Sequence, residues 1–386
     1  SNSYTLRQRQ FWAKGETASG FAVTGGQMWS LVTETGKGTD ARTEKLPATI
    51  DPQYMVGFSW TRQPGIRIQQ RFGDYKTGAF TIAASAENAQ ITSFAVASGT
   101  LGAVPSNYYF AGTGTNGGLY NNTTTYANSV SPDFFLKAAY DSPKVHTEVG
   151  GIARFMRDYY YPILTETPTF ATTSGALTSV AYTYSPTAQS NTAKAGGAYG
   201  SVRVTPDKYF DVAVQAMGGT GVGRYGSAQL ADATLKPSGA LEPVRNYHGL
   251  FTLETHPAKK LDVYAYYGGE YAQRTVYTTA AGALIGYGTP NLNNTGCYAI
   301  AANPGSSTGG SPSASGCSSP TRYIQEGMIG FTYRLVNNPK YGRLQYSATY
   351  QLLQRNLWSG IGNATTPTGP RAQDSMIHVS MRYYIP

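Results

Sequence analysis

Charged residues and long apolar runs are both scarce in this sequence of 386 residues. Lys, Arg, Asp and Glu together make up only 13% of the chain, about half the share found in ordinary soluble domains. No stretch approaches the ~18 consecutive apolar residues of a membrane-spanning helix, which excludes that class. With 45 Gly and 31 Tyr residues, the composition fits either a transmembrane β-barrel or a secreted, loop-rich all-β protein.

Residues suited to catalysis or metal binding are few and scattered. The four histidines show no metal-ligand spacing; they are His146, His248, His256 and His378. The sequence also lacks a GxSxG nucleophile motif and a phosphate-binding P-loop. We therefore expect no enzyme activity, no cofactor and no metal site, with a hydrolase built into a barrel wall as an alternative.

The two cysteines, Cys297 and Cys317, flank a stretch rich in Gly, Ser, Asn and Pro. An isolated pair around a flexible loop predicts one disulfide formed in an oxidising compartment, and two free thiols are the alternative. In the chain-entropy model, closing a ~20-residue loop stabilises the fold by about 3 kcal/mol.

The chain is basic, with 30 Lys and Arg residues against 21 Asp and Glu and a net charge of +9. The basic residues are scattered along the chain and are not gathered on one helix or tail. This distribution argues against nucleic acid as a partner.

Apolar and polar residues alternate with period two along most of the chain. In the last segment, Ile377, Val379 and Met381 share one face, and His378 and Arg382 share the other. Such alternation predicts strands with one apolar and one polar side. Many segments are about ten residues long, as in membrane-spanning strands. The predicted strands are 5–13, 20–31, 53–61, 65–73, 79–87, 90–97, 133–141, 144–155, 195–205, 207–217, 245–255, 259–271, 322–334, 341–354 and 374–385.

Short and long connections alternate between these strands, with one short exception at residues 74–78. This is the pattern of a transmembrane antiparallel up-and-down β-barrel, here one domain over residues 1–386. Aromatic residues near strand ends are expected to form its interfacial girdles, as for Trp29, Trp60 and Tyr383. The predicted long extracellular loops are 32–52, 98–132, 156–194, 218–244, 272–321 and 355–373.

Fifteen strands would start the first strand at the outer surface, whereas a periplasmic N-terminus needs an even number. We therefore expect about 16 strands, with at least one preceding Ser1. Segment 32–52 either folds back into the barrel or forms a simple surface loop.

The region from Leu6 to Ile68 resembles the DcaP-like family of Gram-negative outer-membrane porins. The resemblance rests on LRQRQFWAKG (6–15), GGQMWSLVTE (25–34), KLPATIDPQ (45–53) and WTRQPGIRI (60–68), in the order and spacing of the family. It implies a homotrimeric barrel that passes small anions, typically carboxylates, and further strands before the Arg-rich one. The barrel would be surrounded by outer-membrane lipid and lipopolysaccharide.

The polar faces carry arginines, which keep their charge and present planar donor forks to anions. A ring of them predicts an anion-preferring channel. About half are expected to pair with acids such as Glu87, Glu148, Asp211, Glu254, Asp262 and Glu326. The candidate channel-lining residues are Arg7, Arg9, Arg62, Arg67, Arg71, Arg154, Arg203, Arg343 and Arg382.

The expected function is therefore passive diffusion of small hydrophilic solutes, with a preference for anions, across the bacterial outer membrane. A secreted or surface-attached structural β-protein is the main alternative, because alternation alone does not tell which face of the sheet is buried.

Overall fold

The computed structural model describes residues 9–92, 108–109, 129–297, 317–361 and 369–385. In that part of the chain the protein is all-β, with two short 3-10 helices at Pro52–Tyr54 and Gly223–Tyr225. None of its helices is long and apolar enough to span a membrane. The strands are β1 (Phe11–Glu16), β2 (Phe21–Trp29), β3 (Arg62–Asp74), β4 (Gly78–Glu87), β5 (Tyr108–Tyr109), β6 (Asp133–Asp141), β7 (Val145–Tyr160), β8 (Ile163–Phe170), β9 (Leu177–Tyr184), β10 (Gln189–Asp207), β11 (Phe210–Thr220), β12 (Ala233–Leu235), β13 (Leu241–Pro243), β14 (Arg245–Ala258), β15 (Leu261–Ala272), β16 (Thr275–Thr278), β17 (Leu284–Tyr287), β18 (Thr321–Asn338), β19 (Gly342–Leu357) and β20 (Arg371–Tyr384).

One large sheet dominates the described residues. Its strands pair antiparallel in the order β1-β2-β3-β4-β6-β7-β10-β11-β14-β15-β18-β19-β20, and β5 pairs with β7 as the fourteenth strand. The β8–β9, β12–β13 and β16–β17 pairs form small separate sheets within the long connections. Each main strand is hydrogen-bonded to the next main strand along the chain, which is the up-and-down topology predicted.

Short and long connections alternate without exception along this order. The short turns are 17–20, 75–77, 142–144, 208–209, 259–260 and 339–341. The long connections are 30–61, 88–132, 161–188, 221–244, 273–320 and 358–370. Two predicted strands are wrong: residues 53–61 belong to the first long connection, and residues 90–92 are not in a strand, while 93–97 lie outside the described residues. Without these two strands, the short connection at residues 74–78 no longer breaks the alternation of short and long connections.

The sheet buries its polar face and exposes its apolar face. On β3, Arg67 is only 1% exposed, whereas its neighbours Ile66 and Ile68 are 60% and 48% exposed. On β7 and β6, Glu148 and Lys137 are buried. A soluble β-sandwich buries the opposite face, so this burial pattern is that of a barrel with a lipid-facing exterior and a polar interior. The prediction of an all-β transmembrane barrel is confirmed.

Strands from both ends of the sheet order surround the first long connection. Arg67 on β3 donates to the carbonyl oxygen of Thr39 at 2.8 Å, and Arg382 on β20 donates to the carbonyl oxygen of Ile50. Both contacts involve the same connection, so the sheet curls around it. We call residues 30–61 the in-folded loop.

Candidate channel constriction

The in-folded loop runs the length of the barrel interior. It leaves β2 and enters β3 at the end of the sheet that carries the long connections. Its middle reaches the opposite end, where the amide of Gly38 donates to Asp141 at 2.9 Å and Lys45 contacts Glu254 at 2.8 Å. Segment 32–52 therefore folds into the barrel, and the alternative of a simple surface loop is wrong.

Side chains of the barrel wall satisfy the backbone of this loop. A loop inside a barrel has no neighbouring strand to pair with, so its buried N–H groups need other acceptors. Four of these N–H groups donate to wall carboxylates at 2.9 Å: Leu31 N to Glu87, Thr35 N to Glu148, Val56 N to Glu326 and Gly57 N to Glu270.

The returning part of the loop packs tightly on strands β14, β15 and β18. Met55 and Phe58 are fully buried against Leu250, Tyr264 and Met328. This packing explains the wrong strand prediction for residues 53–61, because their apolar side chains pack on the inner wall and not on lipid.

Two glycines permit the close approach of this segment. A Cβ on Gly268 of β15 would lie 1.8 Å from the carbonyl oxygen of Val56, and Gly57 has φ +85° with its own Cβ position 2.0 Å from the carbonyl oxygen of Gly249. Both distances are far below van der Waals contact, so neither position accepts a side chain without moving the loop.

A buried charge cluster anchors the descending part of the loop. Lys137 is fully buried, and its Nζ lies 2.9 Å from Glu148 and donates to the carbonyl oxygen of Thr33 at 2.9 Å. His146 lies between Asp141, 2.8 Å from Nδ1, and Glu148, 3.1 Å from Nε2. A buried pair loses several kcal/mol when one partner is removed, so this cluster fixes the loop to β6 and β7.

A second segment, residues 221–235, also folds inward and meets the first. Trp60 N donates to the carbonyl oxygen of Tyr225 at 2.7 Å, and the Tyr225 hydroxyl donates to Asp133 at 2.6 Å. Arg154 lies 3.1 Å from both Asp133 and Asp232. The two segments together narrow the half of the barrel nearest the long connections.

The predicted arginines divide by their partners. Arg154 and Arg203 are buried and paired with carboxylates, Arg203 with Glu34 and Asp211. Arg71 lies 3.8 Å from Glu16. Arg67 and Arg382 instead donate to carbonyl oxygens of the loop, Arg67 to Thr39 and Arg382 to Ile50, and Arg67 also donates to the carbonyl oxygen of Trp29 in β2.

Aromatic rings hold two more of these arginines. The Arg62 guanidinium carbon lies 3.9 Å from the ring centre of Trp29 and 5.7 Å from that of Trp60, and that of Arg343 lies 4.1 Å from the ring centre of Tyr384. Arg9 precedes β1 and is exposed. Arg7 lies outside the described residues.

The acids expected to neutralise these nine arginines mostly have other partners. Of the six, Asp211 contacts one of the nine, namely Arg203, and within the described residues none of the other five acids does. Glu87, Glu148 and Glu326 accept loop amides, Glu254 contacts Lys45, and Asp262 contacts Arg334. The predicted partners are wrong for five of the six because the sequence does not show that a loop occupies the interior.

Within the loop, burial shifts two carboxyl groups toward their neutral form. Burial raises the pKa of Glu34 above its ordinary value, although Arg203 lies 2.8 Å away and opposes the shift. Burial also raises the pKa of Glu44. The charge of the interior therefore becomes more positive as the pH falls.

Several interior residues were not among the predicted ones. Lys137 is the one charged residue between the terminal aspartates of β6, DFFLKAAYD. It shares a face with Phe135 and Ala139, which was a usable signal. The role of Tyr225 had no local signal, because it comes from a long connection.

Cys297 and Cys317 are joined by a disulfide, with their Cα atoms 4.5 Å apart. The bond closes the base of the connection between β17 and β18. Residues 298–316 between them lie outside the described residues.

The fold of this chain is similar to those of solved outer-membrane proteins. The chain is similar to the outer-membrane channel DcaP of Acinetobacter baumannii, with a TM-score of 0.56 and 10% identity over 94% of this chain and 72% of that one. This chain has the fold of an outer-membrane channel. The likeness agrees with the resemblance seen in residues 6–68, and at 10% identity it shows the fold alone.

Two other solved structures are more distant. The NanC porin has a TM-score of 0.29 at 7% identity, covering 83% of this chain and 93% of its own. A FadL homologue of Pseudomonas aeruginosa has a TM-score of 0.28 at 11% identity, covering 94% and 85%. No protein-family model matches the sequence, and no curated protein is significantly similar to it.

Proposed function

We propose that this chain is a bacterial outer-membrane porin of the DcaP-like family that passes small hydrophilic solutes and prefers anions. The observation that carries the proposal is a polar barrel interior narrowed by residues 30–61. Its mechanism is size selection at this constriction combined with weak electrostatic attraction, so that solutes enter and leave. A homotrimer in contact with outer-membrane lipid and lipopolysaccharide is part of the proposal and rests on the family resemblance.

The anion preference rests on arginines whose charge no nearby carboxylate offsets. Among the described residues, no carboxylate oxygen lies within 4.0 Å of the guanidinium nitrogens of Arg62, Arg67, Arg343 or Arg382. Their partners are aromatic rings and carbonyl oxygens. Fixed positive charge in a narrow, low-dielectric passage raises the local concentration of anions.

The hydrolase alternative has little support in the histidine with the best partners. Both ring nitrogens of His146 contact carboxylates, Asp141 and Glu148. Such a ring has no nitrogen left to accept a proton from a nucleophile, which a Ser-His mechanism requires. His146 instead supports the constriction.

Reversal potentials in planar bilayers under a KCl gradient test the proposal. We expect discrete conductance steps and a chloride-favouring potential. Changing Arg62→Gln together with Arg343→Gln should shift that potential toward potassium. Lys208→Gln is the matched control, because it removes the same type of charge from a short turn outside the interior and should leave selectivity unchanged.

The outcomes separate the parts of the proposal. A wild-type potential that favours potassium would overturn the anion preference and keep the channel. A folded, detergent-extracted protein that never produces conductance steps would overturn the channel itself.

A further inference from the structure

Three strand ends bring two arginines and a tryptophan together at the outer mouth. Arg322 lies near the start of β18, Arg274 just beyond the end of β15 and Trp358 just beyond the end of β19. These strands are neighbours in the sheet, and the ends concerned are those joined by long connections, which face outward in such barrels.

Both guanidinium groups lie against the same indole ring. Their central carbons are 4.6 Å (Arg274) and 4.9 Å (Arg322) from the ring centre of Trp358. They are therefore at most 9.5 Å apart. The Tyr271 ring meets the indole edge-on at 6.1 Å. A cation over an indole is favourable, but two of them beside one ring repel each other.

No described carboxylate offsets this repulsion. Within the described residues, no carboxylate oxygen lies within 4.0 Å of either guanidinium group. The Nη2 atom of Arg274 donates to the carbonyl and hydroxyl oxygens of Ser359, each at 3.0 Å. Burial, with the charge of Arg322, lowers the pKa of Arg274 from its ordinary value, as expected for like charges without a counter-charge.

The cluster also holds buried donors that lack acceptors. Nε of Arg274, Nε of Arg322 and Nε1 of Trp358 have no hydrogen-bond partner in the described part of the chain. All three are donors and none can accept. A buried donor without an acceptor is costly, so the chemistry that suits this cluster is an anion with several acceptor oxygens.

The disulfide-closed connection holds the tryptophan in place. Trp358 N donates to the carbonyl oxygen of Pro320 at 3.0 Å, and its carbonyl oxygen accepts from Asn294 Nδ2 at 3.2 Å. Ser319 N in turn donates to Asn294 at 3.3 Å, next to the bond between Cys297 and Cys317. The ring position is thus fixed by the frame behind it.

We propose that Arg274, Arg322 and Trp358 form a binding site for the carboxylate group of a small organic acid at the outer mouth. The site captures the solute before it meets the in-folded loop. Planar carboxylates match the fork of donors that a guanidinium presents. The physiological role of the site rests on the proposed channel function, whereas binding itself does not.

Calorimetric titration of the detergent-solubilised full chain with sodium benzoate tests the site. We expect weak, saturable binding, with the Kd raised about tenfold or more in Arg274→Gln and in Arg322→Gln. Arg355→Gln is the matched control. Arg355 also lies at this end of β19 but donates to the Thr321 hydroxyl at 2.8 Å, and its variant should stay within about twofold of the wild type.

Each outcome has a defined meaning. Absence of saturable benzoate binding by the wild type, or equal affinity in a variant with both Arg274→Gln and Arg322→Gln, would overturn the site. Inorganic phosphate binding more than tenfold tighter than benzoate would overturn the carboxylate assignment. If the wild type binds benzoate but gives no conductance steps, and the double variant loses benzoate binding, the site is supported while the proposed channel function fails.

Discussion

Adding one methyl group to the barrel wall should detach part of the in-folded loop. In Gly268→Ala, the new Cβ would lie 1.8 Å from the carbonyl oxygen of Val56, so the loop must retreat by more than 1 Å. The strand backbone at this position needs no special φ, because Gly268 is not in the left-handed region. The strain therefore falls on the loop and not on the barrel.

The retreat breaks two hydrogen bonds that fix the returning segment. Val56 N to Glu326 and Gly57 N to Glu270 are both 2.9 Å long. A hydrogen bond contributes about 0.5–1.5 kcal/mol to stability. Losing both shifts the equilibrium between the packed and the detached segment toward the detached one by roughly 10- to 10²-fold.

Single-channel recording is the assay. Gly268→Ala should show a larger conductance, or frequent steps to a larger one, with the barrel still inserting normally. Gly269→Ala is the matched control, since its Cβ would meet the nearest atom, the carbonyl oxygen of Ile324, at 3.7 Å. Identical conductance in Gly268→Ala, Gly269→Ala and the wild type would refute the idea that this segment limits the pore.

Two further predictions concern buried charge. Glu148→Gln leaves Lys137 buried without a counter-charge and should lower the free energy of unfolding by about 3–5 kcal/mol. The control Glu16→Gln, in a half-exposed pair, should lower it by about 0–1 kcal/mol. Equal urea midpoints for the two variants in lipid vesicles would contradict this reasoning. Because the pKa of Glu34 is raised, falling pH protonates it before an ordinary glutamate, leaves Arg203 less offset and increases chloride selectivity. Glu34→Gln should show at pH 7 the higher chloride selectivity that the wild type shows at low pH. If chloride selectivity in this variant depends on pH as it does in the wild type, the assignment to Glu34 is wrong.

Strand positions could be predicted from sequence because strand periodicity is local. In the last strand, Ile377 and Val379 lie on one face and His378 and Arg382 on the other, as predicted. The direction of burial could not be predicted, since a soluble sandwich and a barrel show the same alternation. The structure separates them, because Ile66 is exposed beside buried Arg67 and because Glu148 and Lys137 are buried.

Aromatic residues show where local patterns stop being informative. Tyr383 is 58% exposed on the outer face, as expected for a girdle residue. Trp29 is only 3% exposed, and its ring centre lies 5.5 Å from that of Trp60 in an edge-on pair. Trp29 ends β2 just before the in-folded loop, Trp60 lies at the end of that loop, and the Arg62 guanidinium contacts both rings. A tryptophan near a strand end fits a lipid interface and a loop base equally well, so only tertiary structure distinguishes them.

The path of the loop was beyond sequence analysis because its partners are distant along the chain. Its amides reach acceptors 56, 113, 213 and 270 residues away. Three of these acceptors, Glu87, Glu148 and Glu326, are wall carboxylates that the sequence pattern had suggested as partners of the arginines. Because they lie under the loop and face its backbone, they are not available to pair with Arg62 or Arg343. The loop that narrows the barrel interior thus also covers acids that would offset its positive charge, so the proposed size selection and the proposed anion preference share one structural basis.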